Sequence, residues 1–198
     1  MVGQHGPEST LPPFRISPKS VFLAFLVVLS IFFATHLIKF PGSVAYLMEI
    51  TEGQKTFDLQ GSFSNTETYD RLEAFGSFGR HTYIRTMLTV DLIFPISMFI
   101  FLILLAKYTS QQLRMKPLLA KSLRSFSIAY LALDFLENVS IFILLINFPN
   151  RLEFLGSYIG YITLGKRISM MGALFLPAGL FSFRKISVLI KKASFSTT

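Results

Sequence analysis

Apolar residues gather along this chain into four long runs separated by polar and charged stretches. A spanning helix needs roughly 20 mostly apolar residues to cross a hydrocarbon core about 30 Å thick. Runs over about 21–40, 85–107, 125–148 and 158–183 meet that length. The last is embedded in an apolar stretch, 155–183, longer than one crossing needs, so it is expected to begin as an interfacial turn. The first run follows Arg15 and Lys19, as a signal peptide would, but it is long and no small-x-small site follows around Ala34-Thr35-His36. The pattern therefore predicts an all-α fold: a four-transmembrane-helix bundle forming one membrane domain over 21–185.

Outside the runs the chain changes character. Residues 1–20 hold Pro7, Pro12, Pro13 and Pro18 among Gly, Ser and Gln, a composition unable to bury a core, and are expected to be a disordered tail. Residues 186–198 read as a short basic tail. In the loop 41–84, Ser64-Asn65-Thr66-Glu67 fits a capping box and Tyr69, Leu72 and Phe75 recur at helical spacing. This predicts a short amphipathic helix over about 66–75 on the outer surface. Gly76 is placed to end it, and Gly79 to allow re-entry into the second spanning helix. Phe63, Phe75 and Phe78 are expected to face lipid or the bundle, and Tyr83, Tyr158 and Tyr161 to anchor at the outer interface. Gly156 and Gly160 stand four apart, a spacing that allows close packing within the chain.

Charge orients the bundle. The tail carries Arg15 and Lys19; the loop after the second run carries Arg114, Lys116, Lys121 and Arg124, and the C-terminal stretch Arg184, Lys185, Lys191 and Lys192, neither of these two with an acid. The loop 41–84 balances its cations with Glu49, Glu52, Asp58, Glu67, Asp70 and Glu73. By the positive-inside rule both termini are cytoplasmic and the acidic loop is outside, with a plasma (inner) membrane as the expected location. Composition agrees: 52% hydrophobic residues and only 15% charged suit a membrane protein. The net charge of +8 sits at helix ends, where it meets anionic headgroups, so membrane lipids and not nucleic acid are the expected partners.

Ionisable residues inside the runs are the informative exceptions: Asp91, Asp134, Glu137, Lys166 and Arg167. Each costs roughly 2.5–3.5 kcal/mol at a helix centre if left alone, so partners within the bundle are predicted. Asp134, Glu137 and Asn138 stand at i, i+3 and i+4 and share one helix face. Pro95 cannot donate to the carbonyl of Asp91, which leaves that oxygen free beside its own carboxylate and places a polar pocket there. The simplest network joins Asp91, Glu137 and Lys166, with Arg80 or Arg85 capping it from above. Asp134 is then expected to lack a cation and to sit as a neutral acid bonded to a carbonyl.

Known chemistries leave few marks. With no cysteine, thiol and iron–sulfur chemistry and disulfides are excluded. His36 and His81 lie on different elements without ligand spacing, and His5 is in the tail, so no metal or cofactor is expected. No P-loop or nucleophile elbow is present. Gly79-Arg80-x-x-Tyr83, Asp91-x-x-x-Pro95, Asp134-x-x-Glu137-Asn138 and Lys166 together resemble an uncharacterised family of small four-helix integral membrane proteins, mainly bacterial, over about residues 57–170. This chain has Met98 where that family often carries an aromatic residue. The resemblance implies that Arg80, Asp91, Glu137, Asn138 and Lys166 act as one constellation. The expected function is a non-enzymatic membrane protein whose cluster stabilises the bundle or binds a lipid, small molecule or partner. The alternative is a small intramembrane enzyme, with Asp91 or Glu137 as acid or base and Lys166 or Arg167 clamping a phosphate, or a proton-linked carrier, with Asp134 or Glu137 as the carboxylate that loads and unloads a proton.

Overall fold

Ser17 opens the first helix, its hydroxyl accepting from the backbone N–H of Ser20 while Pro18 supplies a pre-set first residue. The computed structural model describes residues 15–195. Among them it forms six helices and no strand: α1 (Pro18–Leu37), α2 (Val44–Ile50), α3 (Asn65–Ala74), α4 (Gly76–Gln112), α5 (Pro117–Asn147) and α6 (Glu153–Phe195). Most of the expected N-terminal tail, and residues 196–198 of the expected basic tail, lie outside the described residues. The stretch 186–195 is the end of α6 and not a separate tail.

Among the described residues three helices, α1, α4 and α5, are long and apolar enough to cross a membrane, and the expectation of four such runs is corrected on this point. On α6 the charged pair Lys166 and Arg167 interrupts the apolar run within a continuous helix. Helix α5 packs between α4 and α6, and α1 packs on α4. Apolar side chains point outward along the bundle, among them Leu23, Ile93 and Ile128.

The loop 41–84 is more ordered than its pattern suggests. Its amphipathic helix is α3, capped by Ser64, which accepts from Glu67 N–H; the Glu67 carboxylate reaches back to Phe63 N–H, one residue earlier than a standard capping box. Gly76, at φ +63°, turns the chain between α3 and α4. Gly79 is not the turn: it lies inside α4 against Thr51, where a Cβ would come within 2.7 Å of the Thr51 methyl. Helix α2 had no expectation; its Leu47 is fully buried beneath the loop.

Arg71 ties this cap together. It donates to the carbonyls of Gln60 and Gly61, pairs with Glu67 at 3.3 Å and lies over the Phe57 ring. Burial lowers its pKa, and Glu67 works against that shift. Tyr83, expected at the interface, is instead buried, its hydroxyl accepting from Phe57 N–H at 2.9 Å. Tyr158 and Tyr161 are exposed and Phe63 and Phe78 point outward, whereas Phe75 is buried in the cap core.

Two apolar cores result. One, under the cap, joins Leu47, Phe57, Leu72, Tyr83, Leu144 and Ile159. The other, toward the opposite end, joins Val28, Phe101, Leu102, Tyr130 and Ala173. On α4, α5 and α6 alike, the ionisable residues Asp91, Asp134, Glu137, Lys166 and Arg167 fall between the positions that serve the two cores.

Candidate functional site

Helix periodicity builds this middle layer. Asp134, Glu137 and Asn138 face inward from α5 as their spacing predicts, and Thr163, Lys166 and Arg167 answer from α6. The Lys166 ammonium bonds the fully buried Glu137 carboxylate and lies 3.3 Å from Asp134 Oδ1. Glu137 also accepts from the Thr163 hydroxyl. One cation thus serves two acids one helical turn apart.

Asn138 closes the layer toward α4. Its amide nitrogen donates to Asp134 Oδ2 at 3.1 Å and to the backbone carbonyl of Asp91 at 3.2 Å. That carbonyl is the one Pro95 leaves without an intrahelical donor, so the side chain of one helix replaces the hydrogen bond missing from another.

The expected pairing is corrected in three respects. Asp134, expected to lack a cation, shares Lys166, because the i, i+3 spacing aims both α5 acids at the same side of α6. Asp91 makes no side-chain hydrogen bond or ion pair among the described residues. Arg80 does not cap the layer either: it donates to Leu72 O at 2.8 Å and its guanidinium lies 4.1 Å from the centre of the Phe148 ring, within the cap. Arg85 is exposed. Arg167 reaches the site, but by donating to the backbone carbonyl of Asp58 at 2.5 Å.

A cavity of about 280 Å³ opens beside this network. Asp58, Asp91, Asp134, Asn138, Lys166 and Arg167 supply its polar lining, while Phe32, Phe94, Pro95, Met98 and Met170 supply much of its apolar wall, with Tyr130 and His36 completing it. Met98, where the resemblance led one to expect an aromatic, is part of that wall. Four acidic side chains, Asp58, Asp91, Asp134 and Glu137, surround two cations, Lys166 and Arg167, so acids outnumber cations at the site.

Sequence reading missed Thr163, Asp58 and the cavity role of His36. Thr163 stands three residues before Lys166, so the spacing already placed it on the same face. Asp58 carried no such signal, because it reaches the site from a loop 109 residues from Arg167 in sequence. No group of three His, Cys, Asp or Glu is arranged to hold a metal ion among the described residues. Compared with protein families, curated proteins and solved structures, the chain matches none.

Proposed function

We propose that the chain is a multi-pass integral membrane protein that crosses the bilayer four times, α6 being the fourth crossing, with both termini cytoplasmic in a plasma-type membrane. Lys166, within α6, is compatible with a crossing because Glu137 and Asp134 meet it. The function is non-enzymatic: the charged layer holds α4, α5 and α6 together and forms one wall of a site for a lipid or small molecule. The same residues carry the constellation that the family resemblance implies, with Arg80 outside it.

The observation that carries this reading is the division of labour among the acids. Glu137 and Asp134 are consumed by Lys166, as structural groups are, whereas Asp91 lines a cavity with no side-chain hydrogen bond or ion pair among the described residues. A purely structural layer has no reason to leave an acid facing open space. The same unpartnered acid favours, as a second reading, a proton-carrying or acid–base role for Asp91.

Native mass spectrometry of the gently purified protein tests the reading. The wild type is expected to retain a bound lipid or small molecule, and Asp91→Asn to lose it while melting at the wild-type temperature. A wild type that carries nothing, with Asp91→Asn as unstable as Glu137→Gln, would show the layer to be structural alone. Substrate turnover or proton uptake abolished in a stable Asp91→Asn would establish the second reading instead.

A further inference from the structure

The two kinds of cavity wall narrow the class of ligand. On α1, Phe32 and His36 stack with ring centres 4.4 Å apart, and Phe94 of α4 stands 6.2 Å from each. Three rings therefore form a corner of the cavity, which Asp91 also lines. Aromatic faces carry negative charge density and attract cations, most strongly organic ammonium groups.

The charged groups point the same way. Lys166 is committed to two carboxylates and Arg167 donates to the Asp58 carbonyl, so the two cations are outnumbered by the acids around them. Asp91 makes no side-chain hydrogen bond or ion pair among the described residues, and although Lys166 acts on it favourably, Asp58, Asp134 and Glu137 repel its charge. An added positive charge relieves that repulsion; an added negative charge worsens it. The wall contains too much apolar and aromatic surface to replace the water shell of an inorganic ion. A volume of about 280 Å³ equals the liquid volume of about nine waters, which suits a small organic body.

We propose that this cavity binds an organic ammonium ion with a small apolar or aromatic body, the ammonium seated between the Asp91 carboxylate and the corner formed by Phe32, His36 and Phe94. The proposal rests on the ligand-binding reading above and names its chemistry. A lipid amine headgroup and a free amine share that chemistry.

The test uses three probes of one shape and different charge: 2-phenylethylammonium, 2-phenylethanol and phenylacetate. Each is titrated by calorimetry into the full-length protein in phosphatidylglycerol nanodiscs, which contain no amine. The ammonium is expected to bind at least about tenfold more tightly than the alcohol, with phenylacetate weakest. Asp91→Asn should bring ammonium and alcohol to within about threefold, and Phe94→Leu should weaken the ammonium selectively. Equal or tighter binding of the alcohol or of phenylacetate to wild type overturns the ammonium class and leaves the binding site standing. Binding of none of the three overturns the proposal, and the ligand-binding reading falls only if native mass spectrometry also finds the wild type empty. Because the charge series is read on the wild type, an unstable variant does not blunt it. Adding phosphatidylethanolamine to the nanodiscs then identifies the source: competition with the probe points to a lipid headgroup, and its absence to a free amine.

Discussion

Lys166 holds two acids, and its removal leaves both without their cation in a low-dielectric layer. Lys166→Met should therefore cost about 3–5 kcal/mol, the penalty of breaking a buried ion pair from one side. Thermal unfolding in detergent is expected to show a large drop that Glu137→Gln, added to the same chain, partly reverses. An Asp91→Asn melt that stays close to wild type completes the contrast, since no side-chain hydrogen bond or ion pair is lost there. Asn138 makes a subtler prediction. Asn138→Ala should cost about 1–3 kcal/mol by stranding the Asp91 carbonyl, and less in a Pro95→Ala background, where α4 regains its own donor. Double-mutant analysis of the four melts measures that coupling; strict additivity would show that Asn138 does not stand in for the missing donor. The two positions were legible separately, Pro95 as a freed carbonyl and Asn138 as a member of a polar face. Their meeting was not, because sequence spacing fixes a face within one helix but not the rotation of a second helix against it.

The same limit and its converse appear at the scale of elements. The pair Gly156 and Gly160 announced a close approach, and the structure supplies the partner: the cap, through helix α3 at Gly156 and the loop backbone at Gly160. The Gly160 N–H donates to Ser62 O at 2.7 Å, and the Gly156 carbonyl accepts from the Thr68 hydroxyl at 2.7 Å. A Cβ on Gly160 would fall on the Ser62 carbonyl, which as backbone cannot swing aside. Gly160→Ala is therefore expected to destabilise the protein by about 1–3 kcal/mol. Gly179, on the same helix, has open space where its Cβ would be, and Gly179→Ala should be neutral or stabilising by up to about 1 kcal/mol. Parallel melts check the pair, and equal effects would mean that the cap does not dock on α6. Helix α3 was legible because its cap and periodicity are local signals. Helix α2 was not, because seven residues without a periodic run become helical only when Leu47 is buried beneath the loop.

For the whole molecule, geometry joins what the sequence left as separate charge runs. At one end Ile16 N–H donates to the Gln111 side chain, and Arg184 donates to the Gln112 carbonyl, so the starts of α1 and α5 and the ends of α4 and the described part of α6 meet where cations gather without acids. The opposite end is the cap, which carries most of the acids. Such a partition suits a bundle whose basic end faces anionic headgroups in the cytoplasmic leaflet. It also makes the number of crossings measurable, since α6 starts at the cap and reaches the basic end only by running through the bundle. The chain has no cysteine, so one introduced thiol reports alone. A membrane-impermeant maleimide applied to intact cells should label Ser77→Cys, at the cap, and leave Ser122→Cys and Ser187→Cys unlabelled until the cells are permeabilised. Labelling of Ser187→Cys from outside, with Ser122→Cys protected, would place the end of α6 on the outer side and reduce the crossings to three. The protected pattern would instead put Lys166 inside the bilayer. Its charge is then tolerated there because Glu137 and Asp134 meet it, which is why the thermal penalty of Lys166→Met and the labelling of Ser187→Cys stand or fall on the same arrangement.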